Sequence, residues 1–191
     1  MKDNLPLFSF FSKPITNTKP SKKVNIVDVY KMIKAIGNGY AAKTSALRGI
    51  QEKREAREFK SKQFDYVTFS GTFGNRSEKG LIKHSGLLVL DFDDVSNLGE
   101  LRTLLLNDPS IETELLFVSP SGNGLKWVIE IDLDTLSHKE YFKAVANYLL
   151  HTYKIKVDES GKDIPRPCFL CHDSNVFLNP KYGINNEKTN I

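Results

Sequence analysis

From residue 86 onward the chain alternates in a way that few architectures can accept. The apolar run Leu87-Leu88-Val89-Leu90 reads as a buried strand, and it ends in acids at Asp91, Asp93 and Asp94. A helical segment follows over 97–106, then a strand over 114–119, a glycine turn, and a strand over 125–131. A helix over 137–151 and a last apolar segment over 167–171 complete the series. Strand–helix–strand–strand–helix–strand is the split βαβ, or ferredoxin-like, pattern that recognition-motif sheets share. In that topology the first strand is central and runs antiparallel to the third and fourth, which flank it. Its acidic end then meets the beginnings of both neighbours.

Each of those beginnings carries chemistry. Asp91 and Asp93 are two apart, so on an extended chain they share a face. Paired carboxylates are costly to bury, and a hard divalent cation such as Mg²⁺ or Mn²⁺ offsets that cost through oxygen ligation. The plainer alternative is that the acids open a solvated turn. The third strand is entered through Ser119-Pro120-Ser121-Gly122-Asn123-Gly124-Leu125-Lys126. Ser121, Gly122 and Gly124 suit a close backbone approach to an anion, and Lys126 adds a point charge for phosphate. An ordinary hairpin turn uses the same residue types. Before the last strand come Asp158, able to complete a metal set, and Arg166, able to grip a phosphate. In isolation they read as a charged loop. Together, Asp91, Asp93, Asp158, Lys126 and Arg166 predict a metal–nucleotide site at one sheet edge.

Ahead of this unit the pattern gives a short strand over 7–11, a polar link over 13–23 and a helix over 25–34. One long charged helix is expected over 44–62, then a strand over 64–70, with Gly71 opening a loop that carries Arg76, Lys79 and Lys83. The long helix mixes Arg48, Lys53, Arg54, Arg57 and Lys60 with Glu52, Glu55 and Glu58. A solvated face is one reading; contact with a template backbone, through Arg48 and Arg54 together with Arg76, is the other. The expected organisation is a strand and linker over 1–23, a domain over 24–184 divided after residue 85, and a polar tail over 185–191.

Composition narrows the classes. The net charge of +4 on 191 residues permits a polyanionic partner without demanding one. Cys168 and Cys171 are the only cysteines, and with His172 they make a poor zinc set. Buried free thiols are expected instead, which suits a reducing cytoplasm. No apolar run reaches membrane-spanning length, and 7–11 is too short for a signal peptide.

The combination of Asp91-x-Asp93, Gly124-Leu125-Lys126 and Asp158 with Arg166 resembles the archaeo-eukaryotic primase, or primase–polymerase, superfamily. Its members carry a D-x-D or D-x-E pair, a small-x-His motif and a later hydrophobic-Asp. Thr68-Phe69-Ser70-Gly71-Thr72-Phe73 with Arg76, and Arg166-Pro167-Cys168-Phe169 with Asp173, are similar more narrowly to the N-terminal domain of virulence-associated protein E. That domain is a primase-like module of bacterial mobile elements. The resemblance implies an α+β fold in which an N-terminal α/β unit packs on the ferredoxin-like unit. It also implies Mg²⁺ or Mn²⁺, nucleoside triphosphates, a single-stranded DNA template and a helicase-like ATPase domain or partner. Asp91 and Asp93 match the metal pair, Asp158 the third carboxylate with Asp173 as its rival, and Arg166 the arginine after it. Lys126 stands where the superfamily has histidine, which keeps the positive charge and loses the imidazole. Two other classes remain open. One is a nucleic-acid-binding module of the same fold without catalysis. The other is a haloacid-dehalogenase-type phosphatase, with Asp91 as nucleophile and Asp93 as acid, whose fold needs further parallel strands.

Overall fold

Short apolar and polar stretches set up the N-terminal unit. Phe8-Ser9-Phe10-Phe11 extends as β1 (Phe8–Phe11) and pairs antiparallel with β2 (Lys22–Val24), so the link expected over 13–23 ends in a strand. A computed structural model describes residues 5–183, and the polar tail expected over 185–191 lies outside the described residues. Asn25 starts α1 (Ile26–Lys34) with a capping box: its side chain accepts from the Asp28 amide, and the Asp28 carboxylate accepts from the Asn25 amide.

The single helix expected over 44–62 is two helices, α2 (Tyr40–Gly49) and α3 (Lys53–Gln63). Ile50 is extended after Gly49, and the Glu52 side chain accepts from the amides of Arg54 and Glu55, which nucleates a new helix. After β3 (Tyr66–Thr68), the loop expected at Gly71 is a ribbon of β4 (Gly71–Phe73) and β5 (Leu81–His84).

The second unit follows the predicted order: β6 (Leu87–Phe92), α4 (Leu98–Leu106), β7 (Thr113–Val118), β8 (Leu125–Glu130) and α5 (His138–Tyr153). Two short strands close the chain, β9 (Cys168–Phe169) and β10 (Phe177–Leu178). The result is a mixed α+β fold. Among the described residues its sheets are ordered β2-β1-β3-β9 and β10-β7-β8-β6, beside the β4–β5 ribbon. Every pairing among them is antiparallel, which removes the parallel sheet that a dehalogenase-type phosphatase requires.

The β7-β8-β6 order is the expected one, but the last strand departs from it. Cys168 and Phe169 pair with Val67 and Tyr66 of β3 in the first sheet, so β6 is an edge strand rather than a central one. A two-residue strand carries almost no ladder of its own. Burial decides its partner, and Cys168 sits in the core with Val67, Phe8 and Ile33. The vacated edge of β6 is covered by the segment that holds a single 3₁₀ turn, Glu159–Lys162. The Asp158 amide donates to the Asp91 carbonyl at 2.9 Å, and a Cβ on Gly161 would lie 3.1 Å from the Val89 carbonyl oxygen.

Both faces of the second sheet are buried, which explains the unbroken apolar run in β6. Leu88, Leu90 and Phe92 face α4 and α5, alongside Trp127 and Ile129. Leu87 and Val89 face inward with Phe117 and Val128, against Phe8, Val67 and Ile33 of the first unit. The Trp127 indole N–H donates to the Thr113 hydroxyl at 2.7 Å, and both residues are buried. Cys168 and Cys171 are buried free thiols, and burial pushes Cys168 up to about 12. No helix of the described residues is long and apolar enough to cross a membrane.

Candidate functional site

Asp91 stands in register opposite Lys126 across β6 and β8, both on the inward face of the sheet. Lys126 Nζ lies 2.6 Å from Asp91 Oδ2, with side-chain exposures of only 13% and 5%. Burial works against the lysine charge, but the Asp91 carboxylate, helped by Cys168 and Asp93, holds the ammonium above its ordinary range. From the segment along β6, Arg166 Nη2 reaches Asp158 Oδ2 at 2.9 Å and Asp91 Oδ2 at 3.6 Å. Asp158 also accepts from the Ser160 amide at 3.0 Å and the Ser160 hydroxyl at 2.6 Å. Burial raises that carboxyl, yet the two hydrogen bonds and Arg166 together draw it below the usual carboxylate value. Asp91, Lys126, Asp158 and Arg166 therefore meet in one place, though they lie on three separate stretches of chain.

Two atoms of this cluster are left without partners. Asp91 Oδ1 and Arg166 Nε are buried and make no hydrogen bond among the described residues. Asp93, two residues beyond Asp91, is exposed. It lines a cleft of about 360 Å³ between the strand ends and the two helices α2 and α3. Ser121 and Asn123 line the same wall, and Lys53, Arg57 and Lys60 stand across from them.

The glycine turn is shaped by close backbone approach. A Cβ on Gly124 would lie 2.1 Å from the Phe92 carbonyl oxygen, and Gly122 has φ +84°. Arg48 braces this turn. Its Nε donates to the Pro120 carbonyl and its Nη2 to the Ser119 carbonyl, each at 3.2 Å. Arg76 is engaged elsewhere, donating to the Tyr66 hydroxyl and the Ile15 carbonyl, both at 3.0 Å, with its guanidinium over the Tyr66 ring. Arg54 is exposed on α3. Asp173 accepts from the amides of Val118 at 2.8 Å and Asn175 at 2.9 Å, so it pins the end of β7. Asp158, not Asp173, is the acid beside Asp91.

Lys60 was visible in the sequence only as one charge among many. It is half-buried, 5.9 Å from the centre of the Phe169 ring. Burial, and then the Lys126 charge, hold it below the ordinary lysine range, against the pull of Asp93 and Asp91. Positions 53, 56, 57 and 60 have the spacing of one helix face, and the fold alone shows that this face is the one lining the cleft.

A family model described as BT4734-like, N-terminal domain, matches residues 58–178 of the 191. The chain belongs to this family. No curated protein and no solved structure matches it. The BT4734-like match runs from within α3 to β10 and takes in Lys60, Asp91, Asp93, Lys126, Asp158 and Arg166.

The BT4734-like domain can be tested for the divalent cation that the sequence resemblance implies. Among its described residues, no three His, Cys, Asp or Glu side chains stand assembled as a metal centre. The unpartnered Asp91 Oδ1 and the exposed Asp93 nevertheless offer hard oxygen donors two residues apart. Mg²⁺ is commonly held by one or two carboxylates, with phosphate oxygens and water completing its shell. In chemical type the two carboxylates match such a shell. Asp158 is committed to Ser160 and Arg166.

Proposed function

We propose that the chain is a primase-like nucleotidyltransferase domain acting on nucleoside triphosphates and a single-stranded DNA template. The observation that carries this reading is the meeting of Asp91, Lys126 and the Asp158–Arg166 pair at one strand end. A bare carboxylate site would repel a triphosphate. Here Lys126 neutralises Asp91 from within the sheet, and Arg166 presents a partly exposed guanidinium at the rim. Mg²⁺ or Mn²⁺, held by Asp91 and Asp93, would supply phosphate neutralisation and a more acidic attacking hydroxyl. Arg166 stabilises charge as it develops on the phosphates, and the Gly122–Gly124 turn lets backbone approach the ligand. The same reading gives a cytoplasmic setting in the replication of a mobile element, with a helicase-like ATPase as domain or partner.

Incubation with a single-stranded template, Mn²⁺ and labelled nucleotides tests this. The wild type should extend or initiate a primer, and Asp91→Asn with Asp93→Asn should not. A second reading, a nucleic-acid-binding module without catalysis, is favoured by one feature: Asp91 and Asp158 are each already paired with a cation. A wild type that binds single strands yet makes no product, like the double variant, selects that reading.

A further inference from the structure

We infer that Lys53, Arg57 and Lys60 on α3 form a phosphate track that holds successive phosphates of a polyanionic chain along the cleft. The inference deepens the proposed function and rests on it only for the kind of polyanion, the backbone of a single strand or the triphosphate of a nucleotide.

Helix geometry places the three cations in a row. They are four and three residues apart, so they rise by roughly 6 and 4.5 Å along one face. All three line the cleft, with Ala56 between them as a small residue that leaves the groove open. Their charges are not neutralised locally: among the described residues none of the three makes an ion pair. On another side of the same helix Lys62 pairs with Glu58, so the lack of partners belongs to the cleft face rather than to α3 as a whole. Facing the row are Asp93, Asp94, Ser121 and Asn123. Asp94 is occupied by the Asn123 amide at 2.6 Å, which leaves one uncommitted carboxylate, Asp93, against three cations. A half-buried lysine such as Lys60, pressed by Lys126 and Arg57, gains most from an anion delivered into the cleft.

The row also begins where the cluster around Asp91 ends. Lys60 is the member that feels Lys126, Asp93 and Asp91, and Lys53 lies two turns away toward the helix start. A polyanion laid on the track would reach the candidate site at its Lys60 end. Phosphate contacts of this kind need positioned cations and carry no sequence information.

The test measures binding of the full chain to a labelled oligothymidylate by anisotropy and to inorganic tripolyphosphate by calorimetry, across a salt series. Lys53→Ala, Arg57→Ala and Lys60→Ala are combined, with Lys62→Ala as the control on the paired face. The triple variant is expected to lose about tenfold or more in affinity at low salt, and Lys62→Ala to lose little. Its salt slope for the oligonucleotide should shrink by about 2, roughly 0.7 for each cation removed. Loss confined to the oligonucleotide assigns the track to a strand backbone; loss confined to tripolyphosphate assigns it to a nucleotide. Loss of both means the track serves either. Unchanged affinity and slope for both ligands, or a wild type that binds neither, overturns the proposal. Should the triple variant fold poorly, the exposed Arg57→Ala alone carries the same comparison. The two readings fail separately. A chain that makes no primer but loses binding in the triple variant keeps the track and drops nucleotidyl transfer. A chain that makes primer and binds unchanged in the triple variant does the reverse.

Discussion

Asp91 and Lys126 face each other across β6 and β8 and close to 2.6 Å within the layer between the two sheets. For a buried pair, desolvation roughly cancels attraction, so the severe change is loss of one partner. Lys126→Met is expected to lower stability by about 3–5 kcal/mol in denaturant unfolding, because Asp91 is left with Arg166 at 3.6 Å as its nearest cation. Adding Asp91→Leu should recover most of that loss. A single variant within about 1 kcal/mol of wild type would show that the pair is dispensable to the fold.

Lys60 should behave in the opposite sense. Its charge is held below the ordinary range, so the folded state disfavours it relative to the unfolded chain. Lys60→Met is therefore expected to raise the melting temperature of the ligand-free protein while weakening polyanion binding. A variant that is both less stable and equally tight would contradict the account of the cleft.

Acid should loosen the edge of the site. The Gly86 amide donates to His84 Nδ1 at 3.0 Å, His84 Nε2 lies 3.1 Å from His138 Nδ1, and His138 Nε2 lies 3.2 Å from the Gly161 carbonyl. This chain of contacts needs two neutral rings, each carrying its proton on Nε2. Burial, then the neighbouring ring, brings His84 down to about 4, and burial lowers His138 as well. Because the unfolded chain takes up these protons first, the stabilisation is complete above pH ~6.5 and is lost as pH falls toward 4. Melting temperatures between pH 7 and 4 should decline, and His84→Gln should flatten that slope. An identical slope in the variant would remove His84 from the account.

Gly124→Ala places a methyl group 2.1 Å from the Phe92 carbonyl oxygen, which is backbone and cannot swing aside. Opening the β6–β8 rung should cost about 1–3 kcal/mol, read as a lower urea midpoint. Gly122→Ala meets the flexible Arg48 side chain at 2.9 Å and strains a φ of +84°, so its cost should be nearer 1 kcal/mol. Equal midpoints for Gly124→Ala and wild type would mean that the turn yields.

Much of the second unit could be read from residue pattern, because the apolar run Leu87 to Leu90, the helical spacing over 97–106 and 137–151 and the Gly122–Gly124 turn are local signals. The register that sets Asp91 opposite Lys126 was not among them: by sequence Lys126 goes to a phosphate, and the folded β6–β8 ladder gives it to Asp91. What escaped was decided over distance. β9 spans two residues, and no periodicity can choose between β6 and β3 as its partner. The division of α2 from α3 hinges on the Glu52 cap, and glutamate is also an ordinary helix-interior residue. Arg48 looked like a surface cation, and only the folded chain shows it donating to carbonyls more than 70 residues away in sequence. The cleft cations share a face by spacing alone, but they sit in a run of mixed charge, and only the folded chain shows that face turned to the strand ends.

The lone tryptophan gives the fold a built-in pair of separable signals. Trp127 follows Lys126 on β8, yet its ring points to the opposite side of the sheet, into the layer under α4 and α5. Its emission reports on that apolar layer and shifts to longer wavelength when unfolding exposes the ring to water. The cleft proposed for a polyanion is lined by other residues and does not include Trp127. Indole emission should therefore follow unfolding, and a labelled oligonucleotide should follow binding, in a single cuvette.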